Sequence, residues 1–163
     1  MRFIIDTNVA LAANNKADVG PACVLRAIER LERLMAGEVI VLDDAFLILT
    51  EYGHKLNPKG QPGPGDAFFQ WVLQHTRVLH RCEQVALALA EDGSFAAYPP
   101  AAELSKFDRA DRKFVALALT HPARPPIVNA CDKDWHEHHE ALGTHGVDIE
   151  FLCPEEMTRP RRQ

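Results

Sequence analysis

Short apolar runs, separated by longer stretches of helical periodicity, constrain this chain more than any other feature. Phe3-Ile4-Ile5, Val39-Ile40-Val41-Leu42 and Ile127-Val128-Asn129 are too short for helices and too continuously apolar for half-exposed strands. They read as strands buried on both faces, the pattern of a parallel sheet. Ile149-Glu150-Phe151-Leu152 reads as the last strand, and Arg77-Val78-Leu79-His80 as a weaker one. From Pro21 to about Met35, the residues Val24, Leu25, Ile28, Leu31, Leu34 and Met35 recur at helical spacing. Pro21 fits the first turn of that helix and Gly37 closes it. Further helices are predicted from Asp43 or Asp44 to Leu56, from Asp66 to about Gln74 and over 83–91. Two more run from Asp108 through Leu119 and from Trp135 to about Leu142. Strands alternating with helices predict an α/β fold, a central parallel sheet flanked by helices on both faces.

A chain of 163 residues, 47% hydrophobic, suits one domain with a full core. That domain is placed at 1–154, with 155–163 as a basic, mobile tail ending in Arg159-Pro160-Arg161-Arg162. Asn57 to Gly65, rich in proline and glycine, is a loop inserted within the domain. Cys23, Cys82, Cys131 and Cys153 are widely spaced and form no CxxC pair. They are expected to be buried thiols of a reducing compartment. Asp6 and Asn8 interrupt any signal-peptide core, and no apolar run is long enough to span a bilayer. A cytoplasmic protein with no membrane partner is the expectation. The net charge of -5 argues against a chain that is basic all over, while leaving room for a local basic patch or bound cations.

The first strand stops at Asp6, and ligands of open α/β sheets bind beyond the carboxyl ends of strands. Other acids stand where they can join it. Glu51 lies within a mostly apolar helix, Asp108 and Asp111 open another, and Asp132 with Asp134 follows a late strand. Mg²⁺ and Mn²⁺ prefer such hard oxygen ligands. Clustered carboxylates repel a phosphate until metal neutralises them, and two ions about 4 Å apart can activate water and stabilise a leaving oxygen. No convincing nucleophilic side chain competes with this chemistry.

Asp6-Thr7-Asn8 after the first strand, Glu51-Tyr52 in a helix, Asp111 within Asp108 to Ala118, and Asp132-Lys133-Asp134-Trp135 together resemble a PIN domain. That is the metal-dependent nuclease fold shared with VapC-type toxins. The resemblance covers nearly the whole chain in the family's order and size. It implies a PIN-type nuclease that hydrolyses RNA phosphodiester bonds with Mg²⁺ or Mn²⁺. Asp6, Glu51, Asp111 and Asp132 match the four acids in turn, and Asn8 matches the polar residue that orients a carboxylate or the substrate. Asp108 competes with Asp111 for the third place, and Asp134 with Asp132 for the fourth. The resemblance also admits a homodimer and a small antitoxin protein as partners.

Plainer roles stand beside these. Asp6, Asp108, Asp132 and Asp134 all suit helix caps, and so do Asp43 and Asp44. Glu51 can be a solvated glutamate. His136-Glu137-His138-His139-Glu140 lacks the HExxH order of a zinc helix and reads as a solvated face. Lys106, Arg109, Arg112, Lys113 and Lys133 form either a basic rim for phosphate or ordinary surface charge. The rival functional reading is a PIN-like module that binds nucleic acid or protein without cutting. A phosphotransferase of the HAD type ranks lower, because position 8 is Asn where that family needs a second aspartate.

Overall fold

The computed structural model describes residues 1–160. Five strands form one sheet: β1 (Arg2–Ile5), β2 (Val39–Asp43), β3 (Cys82–Val85), β4 (Ile127–Asn129) and β5 (Ile149–Phe151). Their order is β3-β2-β1-β4-β5 and every pairing is parallel. Seven α-helices surround the sheet among the described residues: α1 (Thr7–Ala13), α2 (Pro21–Gly37), α3 (Leu47–Lys55), α4 (Pro64–His75), α5 (Arg112–Thr120), α6 (Lys133–Thr144) and α7 (Pro154–Met157).

The central strand explains its own sequence. Phe3, Ile4 and Ile5 are all buried, because β1 has a neighbour on each edge and helices on each face. From β1 the chain moves outward through β2 to β3, then returns to the other side of β1 as β4. Right-handed crossovers put the helices of the first half on one face and those of the second half on the other. In keeping with this, α1, α2 and α4 pack on one another, while α5 packs on β2 and β4. The reversal of direction falls between β1 and β4, so the crevice beyond their carboxyl ends is the switch point of the sheet.

Local chemistry fixes the helices that border this crevice. The Asp43 carboxylate at the end of β2 accepts the Leu47 and Ile48 amides at 2.9 and 3.0 Å and caps α3. Pro64 occupies the first turn of α4, and Asp66 reaches back to accept the Gly63 amide at 2.9 Å. α4 therefore starts two residues before the position predicted from Asp66. On the far side, buried Arg30 of α2 joins Glu38 and Glu150 at 2.9 and 3.0 Å and covers the Phe3 ring.

Three expectations are corrected. Arg77–His80 is a turn and the strand is Cys82–Val85, so residues 83–91 are not a helix. Glu-Gln-Val-Ala-Leu-Ala-Leu-Ala has helical propensity. Tertiary pairing overrides it: β3 is an edge strand, and its Glu83 is held by Arg2 at 2.6 Å and His121 at 2.6 Å. Residues after it form an irregular loop with one antiparallel bridge, Leu89 to Phe95. Cys23 and Cys153 are not thiols but a disulfide, because α2 and the start of α7 meet across the sheet's edge; Cys82 and Cys131 are free. The described part of the predicted tail is also tied down. Glu156 and Met157 of α7 are buried, Glu156 accepts the Gly20 amide at 2.9 Å, and Arg159 pairs with Glu156 at 3.2 Å. Arg161 and Arg162 lie outside the described residues. No helix among the described residues is long and apolar enough to cross a membrane.

Candidate metal centre

Each acid reaches the crevice from a different element. Asp6 follows β1 and is 4% exposed. One of its oxygens accepts the Asn8 amide at 3.2 Å, and the other accepts Asn129 Nδ2 at 2.9 Å. It is thus both the cap of α1 and a member of the crevice. Glu51 is brought in by its neighbour Tyr52, a buried ring packed edge-on to Phe68 and Phe69. The Tyr52 hydroxyl donates to the Ile5 carbonyl, which clamps α3 to the end of β1. Glu51 then accepts the Thr7 hydroxyl on one oxygen and Lys113 Nζ, at 2.7 Å, on the other.

Asp111 and Asp108 divide their roles. Asp108 caps the 3₁₀ turn at Arg109–Asp111, accepting the Ala110 amide at 3.0 Å. Asp111 starts α5 without capping it, and no hydrogen bond among the described residues reaches its carboxylate. Asp132 and Asp134 divide in the same way. Asp132 caps α6, accepting the Asp134 amide at 2.9 Å and the Trp135 amide as well. Asp134 accepts the Asp108 amide at 2.9 Å and lies 3.2 Å from His138, so it ties α6 to the segment before α5.

Electrostatics links four of these acids. Burial pushes Asp6 up to about 7, and the charges of Asp132 and Glu51 add to it. Burial pushes Asp111 up to about 8, helped by Asp6, Asp132, Asp108 and Glu51. Asp132 is raised as well, first by burial and then by Asp134 and Asp108. Asp6, Glu51, Asp111 and Asp132 therefore share one patch of negative potential at the switch point, and Asp134 stands at its margin. Carboxylate oxygens are the donor type that Mg²⁺ and Mn²⁺ prefer.

Their oxygens are spread across the crevice. Among the described residues, the group of three whose ligand atoms all lie within 4.8 Å of one another is Asp134, Glu137 and His138, all on α6. There the Asp134 oxygens already serve Asp108 and His138, which is how a hydrogen-bonded helix face looks. His136 and His139 stack on each other beside Phe151, on α6 as well.

Some residues that build the crevice escaped the sequence. Asn129 is completely buried, donates to Asp6 and accepts the Asp132 amide at 3.1 Å, so one side chain aligns two acids. A polar residue closing an apolar strand was the signal for it. Thr7 was legible only as a cap. Asn8 Oδ1 accepts the Ala130 amide at 3.0 Å, bracing the end of β4 against α1, while its Nδ2 is buried without a hydrogen-bond partner. The basic residues are not one rim. Lys113 is on Glu51, Arg112 donates to the Phe107 and Ser105 carbonyls, and Lys133 donates to the Arg159 carbonyl. Lys133 and Arg159 border a pocket of about 360 Å³ that has Asp132 in its wall. Arg109 has no ion-pair partner among the described residues and opens with Arg112 onto a second pocket of about 390 Å³.

No protein-family model, no characterised protein and no solved structure matches this chain.

Proposed function

We propose that the chain is a metal-dependent endoribonuclease of the PIN type, using Asp6, Glu51, Asp111 and Asp132. One observation carries this reading. The Asp111 carboxylate is half-buried, receives no hydrogen bond among the described residues and feels the charge of four other acids, Asp6, Asp132, Asp108 and Glu51. A group in that position is unfavourable as an anion unless a cation joins it. Its place at the switch point of a parallel sheet is where such folds put their chemistry.

Within this reading Asp111 offers an unbonded carboxylate to the ion, Asp132 a carboxylate held by two amides of α6, and Asp6 a third held by Asn129. A divalent cation bound there supplies Lewis-acid polarisation of a phosphodiester oxygen and a more acidic water. Asn129 keeps Asp6 and Asp132 in register. Lys133 and Arg159 lie on the side of Asp132 where a phosphate backbone would run. RNA as substrate follows from the PIN resemblance of the sequence, since no base-reading motif is present.

The test is incubation of the purified chain with matched single-stranded RNA and DNA pools, with Mn²⁺ and with EDTA. RNA cutting that needs Mn²⁺ supports the reading. Binding of RNA without cutting at any Mn²⁺ concentration would favour the binding module instead.

A further inference from the structure

The segment between β3 and α5 folds back on itself as a short hairpin. Leu89 bridges Phe95, the Ala96 amide donates to the Ala88 carbonyl at 3.0 Å, and the Ala90 amide donates to the Ser94 carbonyl at 2.7 Å. Asp92 closes the turn by accepting the Ser94 amide and hydroxyl at 3.0 and 2.5 Å. Past the hairpin, the Tyr98 hydroxyl donates to the carbonyl of buried Leu104 at 2.6 Å. Residues 92–98 form one wall of the pocket of about 390 Å³, and Arg109 with Arg112 forms the other.

Two of the side chains in this pocket hold each other. The Arg112 guanidinium lies 4.6 Å from the Tyr98 ring centroid and also donates to the Phe107 and Ser105 carbonyls. Tyr98 in turn runs nearly parallel to the Phe107 ring, at 6.5 Å and 19°. Two others are unused. Phe95 is half-exposed and has no ring partner among the described residues. Arg109 is exposed, and its side chain makes no ion pair or hydrogen bond among them. A braced wall with one open aromatic face and one open guanidinium suits a ligand that carries a flat base and a phosphate. Asp92 on the rim repels a bare anion, which favours a ligand that enters by its base. A pocket of this volume holds one nucleotide unit and not a duplex.

Its place in the fold ties it to the acids. Arg109 and Arg112 stand on either side of Asp111 in the chain, and the pocket of Lys133 and Arg159 has Asp132 in its wall. We propose that the hairpin pocket binds one unpaired nucleotide of an RNA strand, with its base stacked on Phe95 and its phosphate on Arg109. The proposal rests on the reading of the chain as an RNA-cutting enzyme, and adds that the strand is single where it passes the hairpin. Stacking on Phe95 is blind to base identity, so the pocket selects single strands and not sequences.

The test is fluorescence anisotropy of labelled oligoadenylate with Mn²⁺, in the slow-cutting Asp6→Asn protein so that the strand survives. Phe95→Ala, Phe95→Tyr and Arg109→Gln are each added to it and checked for native circular dichroism. Phe95→Ala should weaken binding about tenfold, and Phe95→Tyr should keep it. Arg109→Gln should flatten the salt dependence by about 0.7 in the log-log slope, the loss of one phosphate contact. An abasic strand of the same length should bind equally well with and without Phe95. Unchanged oligoadenylate affinity in folded Phe95→Ala and in Arg109→Gln overturns the proposal, and the Arg109 result decides if the Ala variant is unstable. AMP that displaces the strand with the strand's own affinity also overturns it, by making the ligand a free nucleotide. No binding by the Asp6→Asn parent overturns it too; the nuclease reading falls with it only if wild type also fails to cut the RNA pool with Mn²⁺.

Discussion

Asn129 at the end of β4 donates its amide to the carboxylate of Asp6 at the end of β1, across 2.9 Å and in full burial. This bond crosses the switch point of the sheet and joins the two strands whose ends carry Asp6 and Asp132. Removing it strands a buried acid. Asn129→Ala should destabilise the metal-free protein by about 1–3 kcal/mol, because Asp6 and the Asp132 amide both lose a partner. Urea unfolding without metal measures this. A loss under about 0.5 kcal/mol would mean that the bond does not organise the crevice.

The raised acids give stability a pH slope with a definite sign. Burial holds Asp6 and Asp111 up at about 7 and about 8, against about 3.9 in an unfolded chain. Between those values the folded state binds more protons than the unfolded one. Raising the pH through that window therefore lowers stability. The melting temperature of the metal-free protein should fall between about pH 5 and about pH 8, and Asp111→Asn should flatten the slope. Mn²⁺ competes with the same protons, so its stabilising shift should grow over the same range. A Mn²⁺ shift independent of pH would contradict this picture.

Gly65 marks where α4 meets α1. A Cβ there would lie 2.1 Å from the Ala10 carbonyl oxygen, a backbone atom that cannot step aside. Gly65→Ala should cost about 1–3 kcal/mol by forcing the two helices apart. Since α1 begins at the Asp6 cap, metal affinity should drop with it. Urea unfolding and Mn²⁺ titration of the variant read both effects; unchanged stability would show that the two helices separate freely.

The Cys23–Cys153 disulfide closes a span of 130 residues and anchors α7 to α2. Thiol titration in denaturant without reductant should count two groups, Cys82 and Cys131, and four after reduction. A count of four before reduction would return all the cysteines to the thiol state that their spacing suggests.

The central sheet was readable because burial on both faces leaves an uninterrupted apolar run, as in Phe3-Ile4-Ile5 and Ile127-Val128. β3 was not, because an edge strand keeps polar residues such as Glu83 and Gln84, and the helix formers after it mimic a helix. The acids were readable as residues, but not their division of labour. Asp108 and Asp111 sit in the same short segment, and only the fold shows one capping a turn while the other faces the crevice. Asn129 and Lys113 act through neighbours remote in sequence, Asp6 and Glu51, and no local pattern announces such a pairing.

The measurement that bears most directly on the proposed chemistry is Mn²⁺-dependent cleavage of a mixed RNA pool by wild type beside Asp6→Asn. Asparagine is itself a good helix cap, so α1 and the fold should survive the substitution. Mn²⁺-dependent cutting that EDTA stops, and that Asp6→Asn lowers by about 100-fold or more, is the expected result. Wild-type cleavage rates in folded Asp6→Asn would contradict it.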